Sequence, residues 1–412
     1  MRAETRSVRC CIAGGGPAGM MLGFLLARSG VDVLVLEKHV DFLRDFRGDT
    51  LHPSTLDVIH ELGLLEQLLA LPHQKVTRIK AQFGDVALTL ADFSHLPTRC
   101  GFVAFMPQWD FLSFLAREAA RYPTFTLMMG AEATELLAES GSIVGLKVKT
   151  ASGFLEVRAN LVVAADGRHS IVRAQAGLPV EEFGAPMDVL WFRLSRRPND
   201  PSDPVGRFDA GRIFIMLNRE DYWQCGFVIA KGSRDLIQAK GLPAFRESVA
   251  HLAPFASDRV DELQDWEPIK LLTVQVDRLR QWYRQGLLCI GDAAHAMSPV
   301  GGVGINLAIQ DAVAAANVLA GPLRGDRLTT EDLRMVQDRR EWPTSMTQRM
   351  QLFVQNRVIK RALSLSEKRS PPLAFRLLRL FPILNRIPAR LIGLGFRPEH
   401  VRTTVSKTAP SG

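Results

Sequence analysis

The apolar residues of this chain follow three rhythms, each predicting a different element. Val8 to Ala13 is a continuous apolar run of strand length, closed by Gly14-Gly15-Gly16-Pro17-Ala18-Gly19. Met20 to Ser29 then reads as a helix ended by Gly30, and Val31 to Leu36 as a second strand ending at Glu37. Strand, glycine turn, helix and strand in that order predict a βαβ unit. Two more short apolar runs, Leu161 to Ala165 and Leu287 to Ile290, deliver Asp166-Gly167 and Gly291-Asp292 at their carboxyl ends, where open α/β sheets bind ligands. A second rhythm, strict alternation, marks Val189–Leu194, Arg212–Leu217 and Tyr222–Val228 as antiparallel strands of a separate sheet. Helical periodicity is the third. It predicts helices over Ser54 to Leu62, Phe111 to Ala120 and Ile305 to Leu319, then a helical region after Pro343 with a break at Pro371-Pro372. Leu373 to Phe396 is amphipathic and arginine-rich, and Thr403 to Gly412 reads as a disordered end.

Composition narrows the class. A chain of 412 residues exceeds the usual single domain, and 47% hydrophobic with 23% charged residues fits a soluble globular enzyme. The five cysteines are odd in number and lack C-x-x-C spacing, which argues against a disulfide framework or a zinc site; Cys10, Cys11 and Cys289 fall in apolar runs as buried thiols. No metal is expected. The N-terminus shows no apolar signal region, and no apolar run approaches about 18 residues, so secretion and membrane spanning are not expected and the cytoplasm is the expected location.

The formal charge of +8 is uneven: Arg357 to Arg402 carries eleven Lys/Arg against Glu367 and Glu399. Such a stretch can meet an anionic membrane surface or an acidic partner, or it can be the solvated face of C-terminal helices. No aromatic-interleaved or helix-turn-helix pattern supports nucleic acid.

The chemistry lies in the turns. In G-x-G-x-x-G, Gly14 permits the tight turn, Gly16 lets the backbone approach a pyrophosphate, and Gly19 lets the helix pack close to the strand. Phosphates sit at the positive helix N-terminus, which Pro17 and Ala18 begin. Glu37, 18 positions after Gly19 and followed by Lys38, can bond ribose hydroxyls. Arg47 is placed to neutralise a phosphate or is an exposed loop residue. Gln108, near the start of a helix, can cap it, bond polyol hydroxyls or lie at the surface. Beyond Asp292, Pro299 and the glycines at 301, 302 and 304 let a backbone come close to a flat ligand, with Ile305 and Asn306 opening a helix aimed at it. His295 reads as structural packing at the strand end.

Three signatures in one order, the glycine pattern with Glu37, Asp166-Gly167 with Arg173, and Gly291-Asp292 with Pro299 and its glycine run, resemble the group A FAD-dependent aromatic monooxygenases of the para-hydroxybenzoate and phenol hydroxylase type. The resemblance covers roughly residues 8 to 320. It implies an α/β, glutathione-reductase-like FAD domain with an inserted antiparallel-sheet substrate domain and a helical C-terminus. The implied partition is an FAD-binding part over 1–180 with substrate-domain segments around 75–105, a substrate sheet over 181–272, a return of the FAD-binding part over 273–345, and C-terminal helices and tail over 346–412.

By the same resemblance Gly14, Gly16 and Gly19 hold the pyrophosphate, Glu37 the ribose, and Arg47 a phosphate or adenosine. Gln108 touches the ribityl chain and Asp292 its hydroxyls, Asp166 lies near the pyrophosphate, and the 301–306 turn, with Gly302, Gly304, Ile305 and Asn306, presents N–H groups to the flavin. Pro299 lines the reaction face and is the one catalytic candidate; no general base is evident. With no second dinucleotide fold, NADH or NADPH visits transiently. The implied reaction is hydroxylation of an aromatic or polycyclic molecule by O2 through a flavin C4a-hydroperoxide. Trp191, Arg193, Phe214, Met216, Gln224 and Phe227 lie on the substrate sheet, where alternating members face the flavin. Rival readings are a flavin-dependent halogenase, whose tryptophan-x-tryptophan motif none of the six tryptophans forms, a prenyl-chain reductase, and a non-enzymatic flavin-binding regulator.

Overall fold

A computed structural model of the chain describes residues 4–43, 50–84, 86–209, 211–363 and 373–406. At its centre is a parallel sheet in the order Leu287–Cys289, Gly153–Ala164, Glu4–Ala13, Val33–Glu37 and Phe125–Met129, with Tyr283–Arg284 antiparallel at one edge. Toward their carboxyl ends the central strands are continuously apolar, at residues 10–13, 33–36, 161–164 and 287–289, because both faces are covered there. Pro17–Arg28, Gln108–Ala119 and the long helix Gly304–Arg324 pack on one face. The antiparallel strands Glu132–Glu139 and Ser142–Thr150 continue from Gly153–Ala164, and Leu146, Val148 and Trp282 help to fill the other face.

The second sheet has seven strands. Lys270–Leu272, Met187–Ser195, Tyr222–Ala230, Arg212–Asn218 and Val205–Asp209 pair antiparallel, then Arg78–Phe83 joins Val205–Asp209 in parallel, with Val86–Asp92 at the edge. Alternation splits its residues between two faces. Phe192, Phe214, Met216 and Phe227 pack with Phe245 of the helix Leu242–Leu252, whereas Val189, Ile213, Val228 and Trp191 pack with Val300 and Ile359. The α/β architecture with an antiparallel second sheet is thus as expected.

Four expectations need correction. The helix foreseen over Ile305 to Leu319 runs Gly304–Arg324, with Pro322 in its last turn. From Val300 to Arg324 it is long and apolar enough to cross a membrane by composition, contrary to the reading of the runs, but 83% of that window is buried inside the protein. Pro343 does not open the following helix but lies inside Thr330–Val354, which begins at a Thr329/Asp332 capping box. Thr403 to Ser406 is not a loose end: Arg28 donates to the Thr403 carbonyl at 3.0 Å and the Ser406 N–H to the Arg28 carbonyl at 2.9 Å. Pro371-Pro372 and residues 407–412 lie outside the described residues.

Candidate functional site

The parallel strands end in register. Ala13 pairs with Leu36 on one side and Ala164 on the other, and Ala164 with Cys289. The turns after them, at Gly14, Glu37, Asp166 and Gly291, therefore emerge along one carboxyl edge. Steric demand fixes the first turn. Gly14 has φ +109°, and a Cβ there would lie 2.3 Å from the Ala165 carbonyl oxygen; one on Gly19 would lie 1.9 Å from that of Gly14. Gly16 differs, since a Cβ would meet nothing within 4 Å. It is the N-cap of Pro17–Arg28, which has no side-chain cap, so this N-terminus faces open space with its N–H groups. The Glu37 carboxylate curls beneath the turn, accepting from the Gly15 and His39 N–H groups at 3.0 Å each. Lys38 beside it is exposed.

Asp166 has a local duty. One carboxylate oxygen accepts from the Ile171 N–H at 3.0 Å, while its burial raises the carboxyl pKa above the usual range against the Ser170 and backbone bonds. Two arginines join this turn to the Asp292 turn. Buried Arg173 donates to the Ala293 carbonyl at 3.2 Å and the Arg168 carbonyl at 2.7 Å, and the Arg168 guanidinium stands 3.8 Å from the Asp292 carboxylate. Gly291 fits where little else could, a Cβ there lying 3.1 Å from that of Ala18 and 3.3 Å from that of Ala308. Asp292 itself is half-buried at the edge.

The second glycine turn is assembled from distant segments. Gly301 and Gly302 have φ +79° and +63°, and Pro299 precedes them half-buried. The Thr50 hydroxyl donates to the Gly302 carbonyl at 3.0 Å. The Asn306 amide donates to the Thr50 and Gly302 carbonyls and accepts from the His52 N–H at 2.8 Å and the Thr55 hydroxyl at 2.7 Å. Its side chain is fully engaged within the protein, so any ligand contact falls to its backbone. The ladder of the long helix begins with Leu307 N–H to the Val303 carbonyl, and no side chain caps it. The N–H groups of Gly304, Ile305 and Asn306 precede that ladder and supply a second positive helix terminus.

Behind both turns lies a buried polar network absent from the sequence reading. Asp311 accepts from the Gly291 N–H at 3.1 Å, lies 2.5 Å from His295 Nε2, and accepts from Arg340 Nε at 2.9 Å. Burial raises its pKa, but His295 and Arg340 outweigh burial and hold the carboxyl below its usual range. Arg340 continues to Glu399, which Arg339 also grips at 2.8 Å. His295 is thus committed to the scaffold. On the same face of Thr330–Val354, Gln348 donates to the Asp277 and Ala296 carbonyls, and Gln351 donates to the Ser298 and Val300 carbonyls and accepts from Ser298 N–H. Gln355 donates to the Ser298 hydroxyl. Glutamines at 348, 351 and 355 on one helical stripe were the available signal, since polar residues at core spacing need partners.

Of the substrate-sheet candidates, Trp191, Arg193 and Gln224 lie on the face that meets Val300, and Phe214, Met216 and Phe227 on the opposite one. Trp191 lies flat across Gly226, where a Cβ would be 3.0 Å from its ring, and Arg193 stacks 4.6 Å from the Tyr222 ring centre. Gln108 is the first residue of Gln108–Ala119, and Pro107 rather than Gln108 occupies its N-cap. Arg47 lies outside the described residues. Among the described residues, no cluster of three His, Cys, Asp or Glu could hold a metal. All five thiols are buried; burial pushes Cys11 up to about 12.

Comparison with known proteins agrees with this geometry. Residues 7–350 match the family model described as FAD binding domain. The chain is 33% identical over 345 residues to the 6-methylpretetramide 4-monooxygenase of Streptomyces rimosus, covering 83% of this chain and 82% of that protein. It is 27% identical over 325 residues to the dialkyldecalin synthase of Streptomyces rugosporus, covering 76% of this chain and 65% of the relative, so it spans less than two thirds of that protein. The structure of the anhydrotetracycline hydroxylase OxyS from Streptomyces rimosus superposes with a TM-score of 0.72 at 23% identity, over 95% of this chain and 77% of that one, a likeness of fold.

Proposed function

The chain belongs to the FAD-binding domain family of flavoproteins, and on that premise we propose that it is a monooxygenase that uses NAD(P)H and O2 to hydroxylate a polycyclic aromatic compound. The observation that carries the FAD part of this reading is the pair of uncapped helix N-termini, at Gly16 and at Gly304, on either side of the Asp292 turn, and the likeness to the 6-methylpretetramide 4-monooxygenase supports the hydroxylation. An extended dinucleotide fits this set: the positive ends suit a pyrophosphate and an electron-rich ring, the carboxylates suit hydroxyls, and Gly16 leaves room for close approach.

Gly14, Gly16, Pro17, Ala18 and Gly19 hold the FAD pyrophosphate, with Asp166 shaping the neighbouring turn. Glu37 turns from its backbone donors to the adenosine ribose, beside Lys38. Asp292 and Gln108 bond the ribityl hydroxyls. Gly302, Gly304, Ile305 and Asn306 offer backbone N–H groups to the ring, and Pro299 lines its reacting face. FAD, when bound, takes hydride from NAD(P)H and activates O2 so that one oxygen atom enters the substrate and the other leaves as water. The protein's part is placement, electrostatics and exclusion of water. Segments around 75–105 together with 181–272 form the substrate domain, in which Trp191, stacked on Gly226, offers an apolar platform and Arg193 and Gln224 offer polar anchors for a phenolic substrate.

The test is turnover of FAD-loaded protein with NADH or NADPH and a panel of polycyclic phenols under ¹⁸O2. The expected result is NAD(P)H oxidation stimulated by at least one phenol, with one labelled oxygen in its product. Product formed without label would transfer the site to reductase or non-oxygenating chemistry.

A further inference from the structure

The C-terminal helices invert the usual distribution of side chains. In Arg386–Gly393 and the 3₁₀ turn Pro382–Asn385 before it, the inward stripe is Asn385, Ala389 and Gly393, small or polar residues buried against the edge of the second sheet. A Cβ on Gly393 would lie 2.7 Å from Leu96 and 3.2 Å from Phe93, so small size is required there. The large apolar residues point the other way. Leu377, Leu380, Phe381, Ile383 and Ile387 are between 40% and 71% exposed. Exposed Arg379, Arg386 and Arg390 lie among them, and no Asp or Glu occurs between Glu367 and Glu399.

From these observations we infer that this face docks on an anionic lipid bilayer, lying flat in its interface. Bulky apolar side chains enter the acyl boundary while arginines meet the headgroup phosphates. Charge decides against the nearest alternative. A second copy seated on this patch by its own equivalent would set arginines against arginines, with no carboxylate in the stretch to relieve them. An acidic protein satisfies the arginines but offers no general reason for five large apolar side chains spread along three successive elements, Leu373–Leu380, Pro382–Asn385 and Arg386–Gly393.

The location gives the docking a use. The other side of Arg386–Gly393 belongs to the site: the Ile392 carbonyl accepts from His52 Nδ1 at 2.7 Å, and a Cβ on Gly301 would meet the Ile392 side chain at 3.7 Å, beside Val303 at 3.6 Å. The second glycine turn is thus about one helix diameter, ~10 Å, from the lipid face. An apolar substrate could pass from the bilayer to the site without crossing bulk water. This use rests on the proposed function; the docking does not.

The experiment is co-sedimentation of full-length, FAD-loaded protein with vesicles of phosphatidylcholine alone or mixed with phosphatidylglycerol, alongside the variant Leu380→Ser/Phe381→Ser/Ile383→Ser/Ile387→Ser. Flavin content and NAD(P)H oxidation are read separately, so loss of the catalytic reading and loss of docking are distinct results. Wild-type protein should sediment with the anionic vesicles, less at high salt, and the variant at least tenfold less with unchanged flavin content. Equal binding to both vesicle types, no binding to either, or variant binding equal to wild type would each overturn the inference. Capture by poly-glutamate but not by vesicles would assign the face to an acidic protein, and a dimer lost in the variant without vesicle binding would assign it to a second copy.

Discussion

Gly14 to Gly19 and Gly301 to Gly304 each turn the chain into a helix whose N-terminus has no side-chain cap, but they are held in different ways. The first is shaped by its own glycines and the adjoining strand end at Ala165. The second depends on Thr50, His52, Asn306, the glutamine stripe of Thr330–Val354 and, through Ile392, the C-terminal helix. The first is held by backbone packing on a neighbouring strand end and by the Glu37 carboxylate on the Gly15 N–H, the second by side-chain hydrogen bonds from groups up to 256 positions away. Loss of the close packing at Gly14 or Gly19 should abolish binding outright, whereas loss of hydrogen bonds around the second turn should be graded and condition-dependent.

The largest effect is expected from Gly19→Val. With the Cβ position already 1.9 Å from the Gly14 carbonyl oxygen, helix and strand must separate, and the purified protein should carry no flavin by absorbance. Asn306→Ala comes next. It takes partners from the Thr50 carbonyl, the His52 N–H and the Thr55 hydroxyl, leaves the Gly302 carbonyl only the Thr50 hydroxyl, and should cost about 3 kcal/mol, seen as a fall in Tm of roughly 5 °C with weakened but measurable flavin binding.

A pH dependence separates the turns further. Burial drives the His52 imidazole down to about 4, the bond to the Ile392 carbonyl only partly opposing it. The unfolded chain takes up this proton first, so the stabilisation is present above about pH 6.5 and is lost as pH falls toward 4. The loss should be about 3 kcal/mol, and His52→Gln should flatten that part of the Tm profile. Asp311, held low, keeps its charge through this window, its contribution fading only at lower pH. Smallest of all, Gln351→Leu should lower Tm by roughly 3 °C: it takes one partner each from the Ser298 N–H and the Ser298 and Val300 carbonyls, while the separate bond from Gln355 to the Ser298 hydroxyl stays.

Legibility in the sequence divides along the same line. The βαβ unit, the Asp166 and Asp292 turns and the alternating strands of the second sheet could be read because apolar periodicity and glycine spacing are short-range signals. The two faces of that sheet were left open, and only packing of Phe214, Met216 and Phe227 on Phe245 shows which side turns away from Val300. The His295–Asp311–Arg340–Glu399 chain was not legible beyond the packing role of His295, because its members come from four segments and no local spacing links them. The docking of Thr403 to Ser406 on Arg28 was misread as disorder, since a polar terminus held by backbone bonds has no periodicity.

The central claim is that FAD lies across both turns with its pyrophosphate at Gly16. A fluorescence titration of wild-type and Gly16→Ala apoproteins with FAD tests it most directly, because an added Cβ there meets no protein atom within 4 Å and leaves the fold untouched. The account predicts one FAD per chain, apoprotein Tm values that agree, and at least a tenfold weaker Kd for the variant, about 1.4 kcal/mol. Equal affinity of the two proteins for FAD would contradict it.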